Sequence, residues 1–417
     1  MRRLFLMLRS RPGLPRAGGL DPADARRLAD AERALGLTPP GCAWLDERTV
    51  DDLDLPLVFA TIDRTTTPTG AQALWRWLVA PAHQLDVLAA REQHLGRFAA
   101  EPALSLIVRR DLRKTAVASN APHLPRLLWE PAPQPLPIAW FAILASALVA
   151  AAVVAIWYPI VVLAVLVLFA TNVVVDDWAN LKLAHQAHAL EILGEVLADA
   201  QRVSAHLPPT LCAGVAEDLA AVRRLRKRIT VLTVRDPLEI SSMLRAGFLV
   251  RLFVLRNCMT TLERERDRLR RLVLWLGELD ALVAVATLRA DRTDTRVPEL
   301  GVGAPRIVAL DLAHPAVPDA IGNDLELVGQ SLLVTGSNMS GKSTFLRTIA
   351  VNAICAQSIH TTFGRWRASM FRVRAVMRTT DDTAAGASRY AVEVAAIGEL
   401  VAAVSREEAT LPALLAV

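Results

Sequence analysis

The sequence predicts a multidomain protein: an all-helical region carrying a two-helix transmembrane hairpin, then an incomplete α/β phosphate-loop nucleotide domain. Three observations predict it. Residues 131–175 hold no Asp, Glu, Lys, Arg or His. Residues 177–290 place leucines at helical spacing (Leu225, Val231, Leu232, then Leu252, Leu255, Leu262, Leu269, Leu272), as long packed helices do. Residues 332–344 run from the apolar Leu332-Leu333-Val334-Thr335 through Gly336, Ser337, Asn338, Met339, Ser340 and Gly341 to Lys342, Ser343 and Thr344. This is the G-x-x-x-x-G-K-[ST] pattern, expected between a strand and a helix.

Bulk numbers narrow the class. A chain of 417 residues suggests two to four domains. It is 53% hydrophobic, with a mean hydropathy of +0.32, high for a soluble protein. A net charge of +5 and a pI near 9.4 suit nucleic acid or anionic lipid without choosing between them. Cys42, Cys212, Cys258 and Cys355 lie far apart, lack metal-ligand spacing, and read as reduced thiols of a cytosolic compartment. The apolar run Leu4–Leu8 is too short for a signal-peptide core.

Residues 1–40 form an N-terminal helical segment, with a helix over 21–36 that has Asp21 as N-cap, Pro22 in its first turn and Gly36 past its end. Residues 41–130 mix helical patterns. Residues 131–176 are the hairpin. Ile138–Trp157 and Val161–Val175 give two short spans, and Pro159 breaks the helix between them. Trp140, Trp157, Tyr158 and Trp178 sit where interface anchors sit. Arg109, Arg110, Arg113, Lys114 and Arg126 precede the segment, so both flanks belong in the cytoplasm. The expected location is the inner or plasma membrane, multi-pass, with lipid contacting residues 138–175. A buried hairpin in a large soluble core is the bland alternative.

Residues 177–290 continue the helical region, interrupted at Leu207-Pro208-Pro209 and around Asp236-Pro237. Arg223, Arg224, Arg226, Lys227 and Arg228 could meet DNA phosphates, lipid headgroups or only solvent. Arg264, Arg266, Arg268, Arg270 and Arg271 alternate with Glu263, Glu265 and Asp267, which reads as a solvated face with i,i+4 ion pairs. Residues 291–417 form the nucleotide domain, with strand-like runs at Ile307–Leu310 and Leu325–Val328.

The phosphate loop needs its residue types. The glycines let successive N–H groups face one anion, and a helix N-terminus adds its positive end. Lys342 supplies a charge for the β- and γ-phosphates, and the Ser343 hydroxyl can ligate Mg²⁺. The implied cofactors are ATP and Mg²⁺. A structural glycine turn is the bland alternative.

The run Thr-Gly-x-Asn-Met-x-Gly-Lys-Ser-Thr resembles the ATPase domain of the MutS DNA mismatch repair family. His314-Pro315 with Gly322-Asn323-Asp324 is similar to the segment before that family's phosphate loop. Asp381-Asp382-Thr383-Ala384-Ala385-Gly386-Ala387-Ser388-Arg389-Tyr390 with Glu393 is similar to a segment after it. Asp63-Arg64-Thr65-Thr66-Thr67-Pro68-Thr69-Gly70, then Leu74, Trp77-Leu78, Pro81 and Arg91, resembles the start of the family's core, or lever, domain. The resemblance covers roughly residues 45–115 and 300–417. It implies a nucleotide-driven dimeric switch in which Gly336–Thr344 bind phosphates, Ser343 holds Mg²⁺ and Ser388 approaches the partner's nucleotide. Ala387 stands where the family commonly has Arg, which weakens the Ser388 assignment. His314, Asn323 and Asp324 border the nucleotide or build a turn. The Asp63–Gly70 motif is expected to be a packing junction rather than a DNA contact.

The chain departs from the family in two ways. It has no Phe-x-Glu wedge and no room for the mismatch-recognition or connector domains, so it looks like a membrane-associated branch of MutS-like ATPases. The acidic strand end that would complete the site is also absent: Leu411–Val417 looks like the start of that strand, and the chain stops there, as a truncated product would. No catalytic residue is assigned, and hydrolysis by this chain alone is not expected. A homodimer is the expected oligomer, and double-stranded DNA stays open as a partner. Two other classes stay open. One is a non-catalytic membrane or DNA-binding scaffold. The other is an ABC-transporter-like ATPase, against which stand two short spans and the absence of a Leu-Ser-Gly-Gly-Gln signature.

Overall fold

The computed structural model describes residues 22–116, 123–130, 138–233, 245–337, 340–377, 394, 397–398, 402 and 411–417. The expected Asp21 cap, the Asp236-Pro237 break, Asn338, Met339, the 381–390 segment with Ser388, and Glu393 lie outside them. The described protein is mostly helical, with three small sheets. It divides into two compact units, residues 1–113 with 277–417, and residues 114–276.

The first unit begins with helices α1 (Pro22–Ala34), α2 (Glu47–Asp52), α3 (Leu55–Ile62), α4 (Pro68–Val79), α5 (Leu85–Ala100) and α6 (Pro102–Ala116, to Arg113 in this unit). Pro68 follows the Thr67 N-cap, whose side chain accepts from the Gly70 N–H, so α4 starts where Pro and a hydroxyl together favour a helix. Every residue of α4 is buried, which makes it the central helix of the unit. Four strands form a mixed sheet in the order β2 (Glu299–Gly301), β6 (Arg365–Ser369), β3 (Arg306–Leu312), β4 (Asn323–Val328). Strand β1 (Thr295–Arg296) pairs with β5 (Thr362–Phe363), and β7 (Arg372–Ala375) pairs in parallel with β8 (Ala413–Ala416). Ile307 and Ala309 are buried at alternate positions of β3, and after a register shift in its pairing with β4 Leu312 is buried too.

The second unit holds helices α7 (His123–Trp129), α8 (Ile138–Val154), α9 (Val162–Ser204), α10 (Val215–Ala221), α11 (Arg223–Thr233) and α12 (Val250–Arg264). Helix α13 (Arg266–Asp291) contributes its residues up to Leu276 here and the rest to the first unit. The chain reverses after α8 through Tyr158 and a 3-10 turn at Pro159–Val161, and α8 and α9 touch.

Of the two expected short spans, the structure bears out two apolar helices joined at the Pro159 turn. Among the described residues one helical stretch, Pro159–Ala179, is long and apolar enough to cross a membrane, and Ala139–Val154 is a shorter apolar helix. One bound is corrected: the second helix does not stop near Val175. It runs unbroken to Ser204, because beyond Asp176 its apolar residues fall at helical spacing (Leu183, Ala187, Leu190, Leu193, Leu197) and bury one stripe.

The arginine-rich run is also corrected in detail. Its ion pairs are i,i+3: Glu263–Arg266, Glu265–Arg268 and Asp267–Arg270. It is not only a solvated face. Arg266 and Arg270 donate to the carbonyls of Glu130 and Leu128, both at 2.8 Å, at the end of α7, and Arg271 grips Asp218 bidentately at 2.6 and 2.9 Å.

Candidate functional site

Helix α14 (Lys342–Ser358) grows directly out of the glycine loop. Gly341 is its N-cap at φ 90°, a left-handed conformation that glycine adopts without strain. The Phe345 N–H donates to the Gly341 carbonyl at 2.8 Å, closing the first turn. The earlier N–H groups of the helix have no intrahelical acceptor, so they face outward with the positive end of the dipole. Lys342 folds back over the loop, and its Nζ donates to the carbonyls of Gly336 at 2.8 Å and Ser337 at 2.7 Å. Ser337, Ser340, Ser343 and Thr344 are exposed.

The other end of α14 is held hard. Thr348–Ser358 are all buried. Asn352 donates to the Ala313 carbonyl at 3.0 Å and accepts from the Phe363 N–H at 2.8 Å. The Gln357 amide bonds the Ala82 and Phe371 carbonyls and accepts from the Phe371 N–H. Arg91 stacks 4.4 Å from the Trp77 ring centroid and donates to the Ser358 carbonyl. Just beyond, Glu92 takes both arms of Arg289 at 2.7 and 2.9 Å and the His360 ring at 2.8 Å. Burial works to raise the Glu92 carboxyl, but the hydrogen bonds and charges of His360 and Arg289 outweigh it and hold it down at about 2. Helix α14 thus presents an open N-terminal end on a fixed base.

One expected feature is corrected. Leu332–Thr335 is not a strand; it is a segment without regular structure, with Leu333 exposed, and among the described residues no strand pairs with it. A strand needs a ladder partner for its N–H and C=O groups, and here it has none.

The segment before the loop is structural in its bonding. His314 is buried, and its Nδ1 accepts from the Ala316 N–H at 3.2 Å. Burial and then the nearby Arg347 charge push its imidazole down to about 4, against a smaller opposing pull from Asp54. Asn323 donates to the Ile321 carbonyl, and Asp324 accepts from the Asp311 N–H at 2.8 Å.

The Asp63–Gly70 motif is a buried junction. Asp63 accepts from the backbone and hydroxyl of Thr65 at 2.8 and 2.7 Å. Asp280, from α13, accepts from Thr66 N–H, Thr67 N–H and Thr67 Oγ1 at 2.7–3.0 Å. Gly70 leaves room for that carboxylate, and a Cβ on Gly277 would stand 2.7 Å from the Thr69 carbonyl. Sequence reasoning missed Asp280, Glu92, Arg289 and His360. The signal for Asp280 was its place as a lone acid among Leu279, Ala281, Leu282 and Val283.

No family model matches the chain. Curated relatives match part of it. DNA mismatch repair protein MutS of Chloroflexus aurantiacus is 38% identical over 107 residues, 23% of this chain and 11% of the relative. The Thermus thermophilus MutS is 39% identical over 97 residues, 22% of this chain and 12% of the relative. The Acetivibrio thermocellus MutS is 30% identical over 149 residues, 33% of this chain and 17% of the relative. The matched part therefore spans less than a fifth of those relatives' length. Over between 22% and 33% of its length, this chain is related to the MutS family of DNA mismatch repair proteins.

Proposed function

We propose that this chain is a MutS-like, membrane-anchored ATP-binding switch that works as a homodimer. The observation that carries the reading is the exposed N-terminus of α14, capped by Gly341, with Lys342 poised over the loop carbonyls. A nucleotide's phosphates would take the outward N–H groups and draw Lys342 Nζ from the carbonyls to the anion. Ser343 would hold Mg²⁺, whose role is to neutralise the β- and γ-oxygens. The buried base of the helix keeps those donors oriented. Ser388 would approach the partner's nucleotide.

Anchoring rests on the charge-free run and on the exposure of its apolar side chains in α9, where Leu163, Leu166 and Val167 are 59–69% exposed. Surface of that kind is rare on a monomer in water. The ATP-binding unit then faces the cytoplasm.

The basic face of α11 favours a polyanion in water, such as duplex DNA, over lipid headgroups. Ile229 packs on Gly194, and Arg226 donates to Gln201. At about 1.5 Å per residue, these positions lie roughly 27–38 Å along α9 from Asp176, where the apolar run ends. Headgroup charge is screened within about 8 Å.

The test is thermal unfolding of the full chain in detergent with Mg-ATP. At a hundredfold excess over Kd, binding adds about 2.7 kcal/mol, and Lys342→Ala abolishes the shift. Absence of any shift in the unsubstituted chain refutes the reading. A scaffold would bind DNA without regard to nucleotide.

A further inference from the structure

Helix α9 carries one amide inside its apolar run. Asn172 is completely buried, and its Nδ2 donates to the Gly247 carbonyl at 2.7 Å. Gly247 packs against the Phe169 ring, where a Cβ has no room. This contact fixes the level of the segment before α12. Asn172 lies four residues, and Phe169 seven, on the apolar side of Asp176. At about 1.5 Å per residue, the Gly247 backbone therefore sits roughly 6–10 Å inside the end of the apolar run.

The segment has the chemistry for that depth. Between Arg245 and Arg251 the sequence is Ala-Gly-Phe-Leu-Val. Phe248 and Val250 are exposed, at 39% and 37%. Arg245–Gly247 are helical and Phe248–Leu249 turn into α12, so at this level the backbone groups freed at the turn must be satisfied internally. Gly247 O has Asn172; Leu249 N–H donates to Ala246 O at 2.9 Å; and Leu252 and Phe253 donate to Leu249 O at 3.1 and 3.3 Å. Leu249 holds φ 53°, which turns the chain sharply and leaves Phe248 and Val250 outward on either side of its own buried side chain. At the same boundary, Lys182 Nζ lies 4.2 Å from the Trp178 ring centroid, an arrangement suited to the headgroup zone.

We propose that residues 245–250 form a third membrane-contacting element, with Phe248 and Val250 inserted at the headgroup–acyl boundary beside α9. The proposal rests on the membrane-anchored reading above. Asn172 then has a specific job: it supplies the donor that lets the Gly247 carbonyl leave water. An interfacial element of this kind buries its apolar side about 5–10 Å deep, the depth the Asn172 contact sets.

The test uses the full chain with Cys42 and Cys212 replaced by Ser and buried Cys258 and Cys355 kept. Environment-sensitive fluorophores are placed singly through Phe248→Cys, Val250→Cys, Val167→Cys on α9 and Arg224→Cys on α11. The proteins are reconstituted in phosphatidylcholine–phosphatidylglycerol vesicles with or without brominated acyl chains. The expected result is loss of emission to bromolipid at 248, 250 and 167, and loss to aqueous iodide only at 224. Bromolipid quenching at 167 with iodide quenching at both 248 and 250 overturns the third element and leaves the anchor standing. Iodide quenching at all four positions overturns both.

Discussion

Both units bury carboxylates, but they differ in where their apolar surface lies. In the first, carboxylates and guanidinium groups lie inside: Asp63, Asp280, Arg64 and the Arg76–Glu32 pair are all buried. In the second, the apolar half of α9 lies outside, while the same helix past Asp176 buries Leu190, Leu193 and Leu197 completely. The difference teaches what each surface answers to. A charge inside is tolerable where hydrogen bonds or an ion pair offset its desolvation, as at Asp280. An apolar side chain outside is tolerable where the surrounding medium is itself apolar. In the anchored reading proposed above, one helix would cross between the two regimes within about a turn of Asp176.

The comparison is broken most severely at Asp280. Asp280→Ala orphans two N–H groups and one hydroxyl in a buried junction. At about 1–3 kcal/mol each, the loss is about 3 kcal/mol or more, read as a lowered midpoint in thermal unfolding of the detergent-solubilised chain. An unchanged midpoint would mean that the junction does not hold α13 to α4.

Val167→Arg tests the other regime. A guanidinium near the middle of a spanning helix costs about 2.5–3.5 kcal/mol in insertion. The variant should lose partition into vesicles in flotation assays while keeping its detergent midpoint within about 0.5 kcal/mol, as surface changes do. A fall in that midpoint without loss of flotation would place Val167 in a protein core instead.

The smallest effect sharpens the charged side by pH. Burial first, and Asp280 in a lesser part, push the Asp63 carboxyl up from 3.8 to about 6, against the bonds from Thr65. The folded chain then holds a proton that the unfolded chain releases. Its contribution is full below pH 3.8 and is lost as pH rises through 6. Asp63→Asn should flatten that part of the stability curve. Glu92 has the reverse sign: its contribution is present above pH 4.5 and is lost as pH falls through 2. Glu92→Gln should therefore weaken the chain near neutrality and leave the Asp63 slope intact.

Much of this was legible locally. The glycine–lysine–serine spacing announced the loop and the start of α14, because phosphate cradling depends on consecutive backbone N–H groups. Pro159 marked the turn between α8 and α9. The strands at 306–312 and 323–328 followed from their apolar runs. That Leu332–Thr335 would form no strand was not legible, since an apolar run reads as a strand whether or not a neighbour exists to pair with it. The length of α9 was missed because a charge pair looks like an end when only the membrane pattern is followed, and the helical stripe that continues past it is weaker.

The sequence by itself determined the glycine–lysine–serine loop with its helix start, the charge-free run and the helical character between them, because each is a pattern of adjacent residues acting through local backbone geometry. Only the tertiary structure decided that Asp280 would meet Thr66 and Thr67, that Glu92 would join Arg289 to His360, and that Asn172 would carry Gly247 to the level of the apolar run. Those partners lie 75 to 268 residues apart in the chain. Nothing local links them; they are joined because packing leaves each buried polar group one place to find its hydrogen bond.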